Sequence, residues 1–250
     1  RPDYLKLPDY QRQFNIPQVL LLTATATPAV IVDMQTKFAI AESDVVTTGF
    51  YRANLNLWVE PVTGAAKRQR LVQWMGERQG QPSIVYVTLQ KTAEHIAQHL
   101  NQHGISASAY HAGLPHDQRE SIQREFMGGQ LNCIVATIAF GMGIDKSDIR
   151  NVVHFNLPKS IENYSQEIGR AGRDGQASDC LVLVNRDSLN VLENFVYGDT
   201  PELQGIRTVL EDLRAAIAEG QWEFMLLPLS DQSNIRQLPL KTLLVQLELR

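Results

Sequence analysis

Between residues 55 and 184 the chain alternates short apolar runs with longer amphipathic ones. Strand-like runs at 55–62, 83–88, 106–111, 131–137, 152–155 and 179–184 are separated by helical patterns at 67–75, 91–102 and 115–127, and by one that opens at Ser160. Gly104 follows the second helical pattern and Gly128-Gly129 the third, where a left-handed residue ends a helix at little cost. Strands that alternate with helices of about ten or more residues are joined by right-handed crossovers, so the sheet is expected to be mainly parallel, with helices on its faces. The expected class is α/β.

Within that frame one segment carries distinctive chemistry: residues 166–175, Q-E-I-G-R-A-G-R-D-G. The helical pattern from Ser160 puts Ile161, Tyr164 and Ile168 on one face and leads into Arg170 and Arg173. Residues three apart on a helix share a face. Two guanidiniums presented together suit a polyanion such as a transferring γ-phosphoryl group, because their planar forks bind oxygens bidentately and stay charged. The same residues also suit a surface helix end, with arginines near the carbonyl pole of the dipole and glycines stopping the helix. The segment alone leaves both readings open.

Two further stretches accompany it. Leu22-Thr23-Ala24-Thr25-Ala26-Thr27 and Ala136-Thr137-Ile138-Ala139-Phe140-Gly141-Met142-Gly143-Ile144-Asp145-Lys146 lie upstream, in that order. Together the three resemble motifs III, V and VI of a superfamily 2 helicase, and their wording is similar to the RecQ family. Arg1-Pro2-Asp3-Tyr4 and Tyr110-His111-Ala112-Gly113-Leu114 match that family as well, and the resemblance extends over residues 1–186. It implies a complete second RecA-like lobe, and ATP with Mg²⁺ in a cleft between two lobes. Arg170 and Arg173 would be arginine fingers, Gln166 would lie at the same interface, and Gly143 with Asp145 would couple nucleotide state to DNA. It also implies translocation 3′ to 5′ on single-stranded DNA, with duplex junctions as substrates. The DNA backbone would meet strand-to-helix turns, for which Thr88, Lys91, His111 and Thr137 are candidates. Thr88 and Thr137 equally suit caps or strand ends, His111 a structural hydrogen bond, and Asp145 a turn acid.

The ends of the chain depart from the alternation. Residues 1–16 are polar and interrupted by proline, so irregular structure is expected there. Residues 18–23 suit a buried strand, and Thr27-Pro28 caps a helix bearing Val30, Ile31, Met34 and Phe38. No G-x-x-x-x-G-K-[ST] loop and no D-E-x-H box occurs in the 250 residues, so the stretch is expected to begin inside a first lobe and, alone, to hydrolyse no ATP. The expected divisions are 1–49 (end of the first lobe), 50–187 (second lobe), 188–228 (helical linker) and 229–250 (truncated start of a winged-helix domain). Thr200-Pro201-Glu202 caps a helix with Leu203, Ile206, Leu210, Leu213 and Ile217 on one side. RecQ proteins usually carry a four-cysteine zinc module in this region; here no cysteine or histidine follows residue 188, so no zinc or other metal is expected. Polar residues 230–234 precede a helix with Leu240, Leu243, Leu244 and Leu247, expected to be poorly anchored or to favour self-association.

Composition narrows the partners. A net charge of −4 argues against a generally basic nucleic-acid binder, so DNA contact would use a local strip of charge. Lys67, Arg68 and Arg70 suit a solvated helix face, Tyr86 the core, and Cys133 and Cys180 buried thiols. No apolar run approaches the ~20 residues that cross a bilayer. No membrane partner is expected, and the expected location is the cytoplasm, at the bacterial nucleoid. The close rival is a DEAD-box RNA helicase, which typically shows S-A-T and H-R-I-G-R-x-G-R; Thr23-Ala24-Thr25 and Gln166-Glu167 stand in those places. A non-enzymatic nucleic-acid-binding module has no need of the arginine pair, and a Rossmann dehydrogenase would need a G-x-G-x-x-G after its first strand.

Overall fold

The computed structural model describes residues 2–23, 26–47, 49, 51–141, 144–185, 189, 193, 200–217 and 221–248. In chain order its main elements are helices α1 (Pro2–Gln13) and α2 (Pro28–Phe38), strand β1 (Leu55–Pro61), α3 (Lys67–Gly76), β2 (Ser83–Tyr86), α4 (Gln90–Gln102), β3 (Ala107–Tyr110) and α5 (His116–Met127). There follow β4 (Cys133–Ala136), β5 (Asn151–His154), α6 (Ile161–Ile168), β6 (Ser178–Val184), α7 (Leu203–Ile217), α8 (Leu226–Ser233) and α9 (Gln237–Glu248). They fall into two units: Gly49–Asn190, and Arg1–Thr48 together with Val191–Arg250.

The first of these units is built on one six-stranded sheet in the order β1-β6-β5-β2-β4-β3, with every neighbouring pair parallel. Alternate residues of each strand supply opposite faces. Val85, Val135, Val153 and Leu181 pack with Leu71, Trp74 and Met75 of α3 and Ile96 and Leu100 of α4. Their neighbours Ile84, Ile134, Val152 and Cys180 pack on the other face with Ile122 and Phe126 of α5, Phe140, Ile144 and Ala171. Being covered on both sides, β2, β4 and β5 are buried along their whole length, as parallel strands usually are. Tyr86 is in this core at 4% exposure, and Cys133 and Cys180 are buried free thiols. Lys67 is not on a solvated face as expected: it is buried, its Nζ donates to Asn185 Oδ1 at 3.0 Å, and it lies 5.0 Å from the centre of the Phe155 ring. Its long stem makes this possible, since the charge can reach a polar partner from an apolar setting. Arg68 is exposed, and Arg70 forks onto Glu60 at 2.6 and 2.7 Å.

The other unit is helical. Thr27 caps α2, its hydroxyl accepting from Val30 N at 3.4 Å. Residues 2–13, expected to be irregular, form α1 despite Pro8 inside it. Tertiary contacts offset the hydrogen bond that proline removes: Tyr4 packs on Phe38 with ring centres 6.3 Å apart, and Lys6 pairs with Glu248 at 2.6 Å. Residues 18–23 do not form the expected strand, and Leu20 and Leu22 are exposed. A strand needs a neighbouring strand, and no strand of the described sheet pairs with this run. Of the polar residues 230–234, the first four close α8. Their hydroxyls turn inward, Ser230 Oγ donating to Ile235 O and Ser233 Oγ to Leu229 O, each at 2.6 Å. Helix α9 is anchored rather than loose: Leu240 is fully buried with Val209, Leu229 and Ile235, and Leu243 and Leu244 pack against them. Among the described residues no helix is long and apolar enough to cross a membrane.

Candidate functional site

Helix α6 is short and starts at a true cap, Ser160 Oγ accepting from Asn163 N at 3.2 Å. It ends at Ile168, so Arg170 and Arg173 sit in the turn that follows and do not share a helix face. Ile161, expected on the apolar side, is 75% exposed. Glycines in the turn separate the two arginines in orientation. Arg170 points inward and its Nη1 donates to Gly141 O. Gly141 has φ +148, and a Cβ there would collide with the Arg170 guanidinium, so only glycine allows this approach. Arg173 points outward, its Nη1 donating to Ile144 O at 3.1 Å and to Asp145 Oδ1 at 3.0 Å. Segment 166–175 is thereby seated on Gly141, Ile144 and Asp145. Gly143 lies outside the described residues, and Gln166 is exposed on α6.

Three residues that the sequence did not single out hold the turn from below. Arg52 Nη2 donates to Gly172 O at 2.5 Å and to Ala171 O at 3.2 Å, while Asn54 Nδ2 donates to Gly172 O at 2.8 Å and Gln176 O at 2.9 Å. Arg150 pairs with Asp174 and donates to Ser178 Oγ at 3.0 Å. That partner, together with the Gln176 amide, holds the Asp174 carboxyl below its ordinary range. Nothing in the local sequence around Arg52 or Asn54 signals this role, because both act across more than a hundred residues.

The four DNA candidates share one edge of the sheet. Tyr86, Ala136 and Tyr110 are aligned across β2, β4 and β3, so Thr88, Thr137 and His111 all lie just beyond the carboxyl ends of adjacent strands. That edge is where open α/β sheets bind ligands. Lys91 is exposed in the first turn of α4, and Thr88 is half-buried with its amide donating to Asn156 Oδ1 at 3.2 Å. Thr137 is 9% exposed. His111 is 3% exposed and its Nε2 lies 3.2 Å from Glu94 Oε1, which ties the end of β3 to α4.

Residues 66–175 match the family model described as helicase conserved C-terminal domain. The chain is 39% identical over 212 residues to the RecQ-like DNA helicase blm-1 of Caenorhabditis elegans, covering 84% of this chain and 21% of that protein. It is 40% identical over 192 residues to the ATP-dependent DNA helicase RecQ of Bacillus subtilis (strain 168), covering 76% of this chain and 32% of that one. The chain belongs to the RecQ family. It spans about a fifth to a third of the length of these RecQ relatives. Among solved structures, S. cerevisiae Dbp5 bound to RNA and ADP BeF3 is similar with a TM-score of 0.61 at 22% identity, over 74% of this chain and 51% of that one. The C-terminal domain of the DEAD-box protein Dbp5 gives 0.50 at 26% identity, over 59% of this chain and 87% of that one. These likenesses show that the RecQ chain has a RecA-like lobe.

The RecQ lobe also contains a buried polar group beneath the arginine turn. His154, at the end of β5, is fully buried, with its Nε2 2.7 Å from Oε2 of Glu167, which is 7% exposed. The ring lies between Tyr86, stacked at 5.5 Å, and Tyr164, tilted at 5.1 Å. Tyr86 donates to Phe140 O at 3.4 Å, and burial pushes its phenol far above the ordinary value, so it remains a neutral donor. A signal for this group was present in the sequence: V-V-H-F puts an imidazole in an otherwise apolar buried strand, and a buried polar ring calls for a partner. Among the described residues, no group of three or more His, Cys, Asp and Glu side chains could hold a metal ion.

Proposed function

We propose that this RecQ chain supplies the second motor lobe of an ATP-dependent DNA helicase that moves 3′ to 5′ on single-stranded DNA and opens duplexes at junctions. The seating of the arginine turn on Gly141, Ile144 and Asp145 carries the reading, because it offers Arg173 at the surface beside Asp145 while Arg170 is held to Gly141 from within. Arg173 faces the phosphates of ATP, Arg170 would join it only by releasing Gly141 O, Gln166 lies beside them, and Gly143 and Asp145 relay nucleotide state. ATP and Mg²⁺ are held by a phosphate-binding loop that is not in these 250 residues. The lobe's own share is charge: an arginine finger stabilises the developing negative charge of the transition state and contributes on the order of 10³ to 10⁵ in turnover.

On this reading the DNA backbone runs along the carboxyl edge of β2, β4 and β3, meeting Lys91, Thr88 and Thr137, with His111 shaping the edge from beneath. Residues 1–49 end the first lobe, 50–187 form the second, 188–228 a linker without a zinc module, and 229–250 open a winged-helix domain. The protein works at the nucleoid in the cytoplasm, and any self-association would use exposed Leu238 rather than the buried leucines of α9. A strand-displacement assay with the full-length protein tests the reading. Partial duplexes with a 3′ single-stranded tail should be opened in an ATP-dependent way and those with a 5′ tail should not; equal opening of both, or opening without ATP, would contradict it.

A further inference from the structure

Helix α6 has eight residues, too few to be stable by its own hydrogen bonds, yet its last turn decides where both arginines begin. Glu167 lies in that last turn. Its backbone carbonyl accepts from Arg170 N at 3.3 Å, and its side chain reaches His154 at the end of β5. From Arg170 the connections continue to Gly141 O, to the adjacent carbonyl of Phe140, to the Tyr86 hydroxyl, and by stacking back to His154. The result is a closed circuit through two central strands, the 137–141 loop and the arginine turn. Two of its atoms, His154 Nδ1 and Arg170 Nε, are buried without a hydrogen-bond partner. A carboxylate and an imidazole buried this deeply are a poor choice for stability alone, since an apolar pair of similar volume is often as good or better.

We propose that His154 and Glu167 are positioning residues for the arginine turn: their buried bond fixes the end of α6 against β5 and so sets where Arg170 and Arg173 point. The inference rests on the reading that these arginines meet a nucleotide phosphate. Neither side chain touches ATP; each acts through the backbone of 167–170. The relevant sensitivity is geometric, because a misplacement of about 1 Å in a catalytic group costs on the order of a hundredfold in rate.

DNA-stimulated ATP hydrolysis by the full-length protein tests it, with Glu167→Ala, Glu167→Gln, His154→Leu and Arg173→Ala compared after thermal melts. Glu167→Ala and His154→Leu should lower kcat by about tenfold to a hundredfold, with the KM for ATP within about threefold of wild type. Glu167→Gln keeps an oxygen for the ring N–H and should recover most of the rate. A folded Glu167→Ala with kcat near wild type overturns the proposal, as does a Glu167→Gln loss equal to that of Glu167→Ala. If Glu167→Ala and His154→Leu both fail to fold, the pair is a stability element and the proposal also fails. A normal rate in Arg173→Ala would overturn the underlying reading of the arginines; a slow Arg173→Ala beside a normal Glu167→Ala would overturn this inference alone.

Discussion

Arg170 and Arg173 are three residues apart yet differ in what they can reach. Arg170 is engaged with Gly141 O from inside the lobe, whereas Arg173 is held at the surface by Asp145, a carboxylate that is itself 90% exposed. An exposed ion pair contributes little, so Arg173 can exchange Asp145 for another anion at small cost. What makes the turn possible is Gly172, at φ +53. A Cβ there would come within 2.7 Å of Gln176 O and 2.5 Å of Asn54 Nδ2. Gly172→Ala should therefore destabilise the lobe by about 1–3 kcal/mol, read as a lower urea midpoint with unchanged slope. An unchanged midpoint would mean the turn relaxes freely. The two cysteines give a second check at this scale. Burial pushes the thiols of Cys133 and Cys180 up to about 12, so at pH 8 neither should be alkylated by iodoacetamide until the chain is denatured, as mass spectrometry would show. Labelling of the native protein would mean that the sheet opens.

Elements were legible in the sequence wherever their stability is local. Helices α4 and α5 and the six strands of the sheet lie within about two residues of the runs expected, because period and glycine stops are local signals. Thr27 caps as expected, and the pattern that opens at Ser160 forms α6, for the same reason. The failures are all non-local. Helix α1 depends on packing against Phe38 of α2 and against α9, α8 on serine hydroxyls finding carbonyls, and residues 18–23 have no neighbouring strand in the described sheet. At the site, the helix that leads into Arg170 and Arg173 was legible but the turn that holds them was not, and Arg52, Asn54, His154 and Glu167 act through partners distant in sequence. The Arg70–Glu60 fork, which ties α3 to β1, makes an element-scale prediction. Arg70 holds the Glu60 carboxyl below its ordinary value of 4.5. A depressed folded value contributes stability above the unfolded value and loses it as pH falls through the folded one. The urea midpoint should thus fall as pH drops below about 4.5, and Arg70→Met should make that fall shallower; an identical acid profile in Arg70→Met would show that the pair contributes nothing.

For the whole molecule, the sheet, the arginine turn and the carboxyl edge fit one half of a motor. On the proposed reading, the other half would hold ATP in its ground state and the lobe would add what the transition state needs. Taken by itself, then, the 250-residue chain should show no DNA-stimulated ATP hydrolysis. The decisive measurement is made on the full-length protein: steady-state ATP turnover at saturating single-stranded DNA, for wild type and Arg173→Ala, with DNA affinity measured in parallel. If Arg173 is a finger, turnover falls by about 10³ or more while DNA affinity stays within a few-fold. Turnover that is unchanged, or that falls only in proportion to lost DNA binding, would contradict it.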